Sequence, residues 1–139
     1  FQGVSWYHTP YGNRWIFTPD INSEYQARRE VLNLVKNTDG PIICEDMGMI
    51  ALAGKKVYFE PFEFTQLINQ GYWKQDKLLT DIESGKFKYF IINFNISRPG
   101  WRLTRFNREL LKKVRFDYTI SDIKGKYRIY EPKPEFTGF

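Results

Sequence analysis

The sequence predicts an α/β protein, a three-layer sandwich on a mostly parallel sheet with a C-terminal antiparallel hairpin at the sheet edge. Three observations carry this. Short apolar runs alternate with segments of helical period in the order α-β-α-β-α-α-β-α-β-β. The run Phe87–Phe94 is almost continuously apolar, as in a strand covered on both faces. Two alternating segments, 116–121 and 126–131, flank Asp122-Ile123-Lys124-Gly125, a turn sequence. A chain of 139 residues has room for about one such domain.

Four parts are expected: a possible tag remnant at 1–3, an aromatic-rich lead-in at 4–21, the α/β domain at 22–132 and a tail at 133–139. Phe1-Gln2-Gly3 reads as the end of a protease-cleavable tag, or equally as native sequence. With Met47 the first methionine, an excised domain of a larger protein is expected. The lead-in, with Trp6, Tyr7, Tyr11, Trp15 and Phe17, shows neither helical nor strand period, and Pro10 and Pro19 argue against a long regular element.

The domain then reads in order. Ser23 and Gln26 have capping-box spacing, Ala27, Val31, Leu34 and Val35 form one apolar face, and Asn37 and Gly40 stop a helix over about 22–37. Pro41–Cys44 reads as a short buried strand. Asp46 is placed to cap a short helix containing Met47, Ile50, Ala51 and Ala53 and ending at Gly54. Lys56–Phe59 reads as a second strand, closed by Glu60-Pro61. Phe64, Leu67 and Ile68 line a helix ending at Gly71, and Asp76 opens another that runs to Gly85. After the strand Phe87–Phe94 comes a loop with Pro99-Gly100. Thr104 is then placed to cap a helix with Leu103, Phe106, Leu110 and Val114 on its inner stripe.

Charge is concentrated. Residues 98–115 carry seven Arg or Lys against one Glu, while the whole chain is only +5, so the rest is close to neutral. That favours a local anionic partner over general basicity. Arg105, Arg108, Lys112 and Arg115 fall on one helical face, and Arg98, Trp101 and Arg102 precede them. The set reads either as a solvated amphipathic face or as a contact for phosphates of a membrane surface or lipid-linked substrate, with Trp101 at the interface. Near-neutrality elsewhere and the lack of a recognised motif argue against nucleic acid.

Several chemistries are poorly supported. One Cys and one His exclude a disulfide within the chain and a Cys/His zinc site. There is no phosphate-binding Gly-rich motif and no nucleophile elbow, and no catalytic residue, metal ligand or cofactor is assigned. The longest apolar runs, such as Tyr89–Ile92, are far short of the ~20 residues a membrane span needs. Asn95-Ile96-Ser97 fits the N-glycosylation triplet, a pattern common by chance.

The remaining candidates are strand-end residues. Glu45 and Asp46 follow the first strand, where open α/β sheets commonly bind ligands. They could hold a sugar hydroxyl or a cation, or simply serve the next helix as cap and favourable charge. Glu60 and Asn93 end later strands and could join the same rim, or Glu60 could be a solvated residue before Pro61.

An ordered set of phrases over roughly 24–132 carries a resemblance. It includes Pro41-Ile42-Ile43-Cys44-Glu45-Asp46-Met47-Gly48, Phe59-Glu60-Pro61-Phe62-Glu63-Phe64, Gln70-Gly71-Tyr72-Trp73 and Gly125-Lys126-Tyr127-Arg128-Ile129-Tyr130-Glu131-Pro132. Together they resemble the C-terminal soluble tail of bacterial multi-spanning GT-C type glycosyltransferases, similar to the protein O-mannosyltransferase and lipid A aminoarabinose transferase families. The resemblance implies a parent enzyme that transfers a sugar from a polyprenyl-phosphate carrier on the extracytoplasmic, periplasmic side. It implies catalytic acids in a transmembrane part absent here, and an accessory domain inactive alone that partners that part, the membrane surface and an acceptor. Glu45, Asp46 and Glu60 match acidic positions of the family, whereas the Arg density of 98–115 departs from it. The alternative expectation is a free-standing α/β module that binds a small sugar or nucleotide.

Overall fold

The computed structural model describes residues 4–9, 12–17 and 21–136. The readings made on residues 1–3 and 137–139, and on Pro10, Tyr11 and Pro19, lie outside the described residues. Among the described residues the fold is mixed α/β, with a four-stranded open sheet, five α-helices and a separate two-stranded sheet.

Within the lead-in, the described residues form two short strands that its lack of period did not signal. β1 (Val4–Thr9) and β2 (Gly12–Phe17) pair antiparallel from Val4↔Phe17 to Thr9↔Gly12. Backbone pairing needs no apolar alternation, so a ladder can form without a period-two signal.

α1 (Ile21–Asn37) buries Ala27, Val31 and Val35 as its spacing predicts. It begins before Ser23, so Ser23 lies inside the first turn rather than at the cap. β3 (Ile42–Cys44) is fully buried, and α2 (Met47–Leu52) follows it directly. α3 (Pro61–Asn69), α4 (Asp76–Glu83), β4 (Tyr89–Ile92) and α5 (Arg108–Asp117) complete the middle of the chain. The hairpin is β5 (Tyr118–Lys124) and β6 (Tyr127–Pro132), turned through Gly125-Lys126, later than the expected turn at 122–125. Beyond Pro132 the Lys133 N–H donates to the Asp117 carbonyl at 2.9 Å, and Pro134–Phe136 form a 3-10 turn.

Three local expectations change. Lys56–Phe59 forms no strand. Its rings pack instead: Tyr58 meets Phe87 edge-on at 5.5 Å and Phe59 tilts on Phe64 at 4.7 Å. Thr104 ends a 3-10 helix, Gly100–Thr104, and its hydroxyl donates to the Trp101 carbonyl. The cap of α5 is Asn107, whose side chain accepts from the Leu110 N–H at 2.9 Å.

The sheet order is β3-β4-β6-β5. Only β3 and β4 run parallel; β4–β6 and β6–β5 are antiparallel, so the sheet is mixed rather than mostly parallel. The reason is topological: β6 returns between β4 and β5, which places the expected edge hairpin directly on β4.

Side-chain alternation assigns the two faces. Ile42, Cys44, Ile91, Tyr127 and Ile129 pack with Val31 and Val35 of α1 and with Met49 and Ile50 of α2. Ile43, Phe90, Ile92 and Tyr130 pack with Ile82 of α4 and with Leu110, Leu111 and Val114 of α5. Fully burying such side chains contributes about 1.5–3 kcal/mol each before conformational entropy is subtracted. Cys44 lies in the first cluster, and burial pushes its thiol up to about 12, so it stays protonated. Among the described residues, no helix is long and apolar enough to cross a membrane.

Candidate functional site

β3 and β4 end side by side, and the residues just past their C-terminal ends open a cleft of about 430 Å³. All four candidates, Glu45, Asp46, Glu60 and Asn93, line it, joined by Arg105, Lys126 and Tyr127; Glu60 comes from the N-cap of α3 rather than from a strand end.

Glu45 is buried. Its N–H continues the β3–β4 ladder onto the Ile91 carbonyl at 2.9 Å. Its side chain turns to the end of β4, where Oε2 accepts the Asn93 N–H at 3.0 Å. Oε1 faces Arg105 Nη1 at 3.5 Å. The carboxylate thus satisfies a backbone donor that the sheet has just released, with a cation for balance.

Asp46 stands at the N-cap of α2, but its side chain caps nothing. Oδ2 instead faces Arg28 Nη2 at 3.5 Å and accepts from the Tyr127 hydroxyl at 3.4 Å. The Tyr127 phenol is raised to about 12, first by burial and then by the Asp46 charge. Gly48 leaves room here, since a Cβ would come within 3.1 Å of Asp46 Oδ1.

Glu60 does cap. It lies at the N-cap of α3, and its Oε2 accepts from the Glu63 N–H at 2.5 Å while it also lines the cleft. Asn93 presents a buried Oδ1 with no hydrogen-bond partner among the described residues. The cleft therefore offers carboxylate and amide acceptors together with Lys126 and Arg105 as donors. That mixture can hold a small polyhydroxylated ligand through several hydrogen bonds.

The basic segment divides in two. Arg98 is exposed in the loop after β4, and its N–H donates to the Asn95 carbonyl. Trp101 and Arg102 lie on the 3-10 helix, where the Trp101 ring has the Arg102 guanidinium 4.8 Å and the Arg105 guanidinium 5.8 Å from its centroid. Arg102 also covers Phe94 at 5.5 Å. Arg105 precedes α5 and turns to the cleft, so it leaves the expected four-residue face. Arg108, Lys112 and Arg115 remain as an exposed row along α5 and make no ion pair with a described residue.

Sequence reasoning did not anticipate Arg105 as the partner of Glu45, Arg28 as the partner of Asp46, or Lys126 and Tyr127 at the cleft. Asn107, spaced three residues before Leu110, carried a readable cap signal that would have put Arg105 outside the helix. No signal links Tyr127 to Asp46, because strand register brings them together. Asn95 is exposed, and its side chain accepts from the Ser97 N–H at 3.0 Å. Among the described residues no group of three His, Cys, Asp or Glu could hold a metal ion.

No family model matches this chain, and no curated protein or solved structure shows significant similarity to it.

Proposed function

We propose that this chain is an extracytoplasmic accessory domain of a membrane glycosyltransferase that uses a polyprenyl-phosphate-linked sugar, and that its cleft receives the acceptor. The observation that carries the reading is the convergence of Glu45, Asp46, Glu60 and Asn93, with Arg105, Lys126 and Tyr127, on one cleft at the ends of the parallel strands. Acceptor-rich and donor-bearing, such a cleft suits hydroxyl and amino groups of a sugar. The exposed row Arg108, Lys112 and Arg115 supports contact with phosphates at a membrane surface or on a lipid carrier. The motif resemblance supports the choice of parent enzyme and of its location. Helices against both sheet faces support reading the fold as three layers.

A second reading, a free-standing module for a sugar or nucleotide, draws on the same cleft of about 430 Å³ with its mixed acceptor and donor lining. Fractionation of source cells separates the two. With an antibody to this domain, the glycosyltransferase reading predicts a membrane-bound product, released only by detergent and cleaved by protease added outside the cytoplasmic membrane. A short product in the soluble fraction would refute it and favour the second reading.

A further inference from the structure

Among the four longer helices, α3 is the most apolar in sequence, yet it buries only Pro61 and Thr65. Its orientation has a local cause. The Thr65 hydroxyl donates to the Arg105 carbonyl at 2.6 Å, which holds a polar residue inward. Leu67 is left exposed, while Phe62 stands at the strand-end cleft, and the loop leaving the helix adds Tyr72 at 76% and Trp73 at 57% exposure. Both loop N–H groups donate to the Leu67 carbonyl, so the two aromatics stand on a fixed turn.

Behind them is a groove of about 620 Å³ lined by rings and aliphatic chains, among them Tyr58, Phe64, Leu78 and Phe87. Four lysines, Lys56, Lys74, Lys77 and Lys86, line the same groove against one carboxylate, Asp81. Asp81 is already paired to Lys77 at 2.9 Å and Lys86 at 3.2 Å, so the local balance stays positive.

We infer that this face docks on an anionic lipid bilayer, with Tyr72 and Trp73 entering the headgroup layer and the lysines meeting lipid phosphates. The chemistry fits that occupant. Tyr and Trp rings favour the boundary between water and hydrocarbon, and lysine stems lie along apolar surface while their ammonium groups reach phosphate. The exposed row Arg108, Lys112 and Arg115 lies on α5, the helix packed against α4, and is tested separately below. Trp101 is a poorer interfacial anchor, since two guanidinium groups already occupy its ring, whereas Trp73 has no ring or cation contact among the described residues.

The inference goes beyond the acceptor cleft and does not depend on it. The test is co-sedimentation of the chain with phosphatidylcholine vesicles containing phosphatidylglycerol, at low salt. Binding is expected, with a blue shift of Trp emission, and Tyr72→Ser with Trp73→Ser is expected to weaken it about tenfold or more at unchanged circular dichroism. Lys74→Glu with Lys77→Glu should weaken it similarly and flatten its salt dependence. Three results would overturn the inference: no vesicle binding; full binding by the aromatic variant with loss on Arg108→Glu, Lys112→Glu and Arg115→Glu; or self-association abolished by the aromatic variant without vesicle binding, which would make the face a contact between copies. Vesicle binding through this face by a protein found only in the soluble fraction would keep the inference and remove the glycosyltransferase reading.

Discussion

Arg105 Nη1 lies 3.5 Å from Oε1 of Glu45 across 60 residues of sequence, and the two are unequally buried: the Glu45 side chain is 4% exposed and that of Arg105 44%. The pair is therefore one-sided. Glu45 depends on Arg105 and on the Asn93 N–H, while Arg105 keeps water. Arg105→Ala should lower the unfolding free energy by about 1–3 kcal/mol, less than a fully buried pair because the guanidinium is half in solvent. Adding Glu45→Gln should recover most of the loss, since a neutral amide needs no counter-charge and can still accept from Asn93. Urea denaturation of the three variants measures this. An unchanged midpoint for Arg105→Ala would show that the pair contributes nothing.

The Tyr127–Asp46 contact makes an alkaline prediction. The Tyr127 phenol ordinarily titrates near 10 and is raised to about 12 in the fold, and burial raises Tyr118 and Tyr130 as well. Above pH 10 the unfolded chain has released a proton that the folded chain still holds, so stability falls as pH rises. The contribution is complete below about pH 10 and is lost as pH passes through about 12. Thermal unfolding across this window should show a declining Tm, and the decline should be shallower for Tyr127→Phe. Identical slopes for the two proteins would contradict the raised phenol.

The β5–β6 turn is held tight against α1 by a glycine. Gly125 has φ +56°, and a Cβ there would lie 2.8 Å from the Ala27 Cβ, whereas Gly54 at φ +70° has open space around it. Gly54→Ala should cost about 1 kcal/mol from backbone conformation alone. Gly125→Ala should cost clearly more, about 2–4 kcal/mol, because the hairpin must also move off the helix. Equal losses in thermal denaturation would show that the turn yields freely.

Much of the fold is legible where period and punctuation agree. Val31 and Val35 announce α1, Gly85 ends the α4 segment, and Gly125 marks the hairpin. Lys56–Phe59 misleads because a short apolar run does not reveal whether its backbone finds a ladder; here Tyr58 and Phe59 make ring contacts with Phe87 and Phe64 instead. Strand order was likewise hidden, since adjacency in sequence does not place β6 between β4 and β5. At the cleft, Glu45 and Asn93 are legible as strand ends. Arg105, Lys126 and Tyr127 arrive through the α5 cap and the β4–β6 register, both long-range consequences of packing.

The central claim, that the strand-end cleft is a sugar site, is tested most directly by amide chemical shifts during titration with methyl mannoside and methyl glucosaminide. The account predicts saturable shifts at Glu45, Asp46, Glu60, Asn93, Lys126 and Tyr127, the residues around the cleft, and their loss in Asn93→Ala with Lys126→Ala. No shifts with either glycoside, or shifts confined to other surfaces, would contradict it.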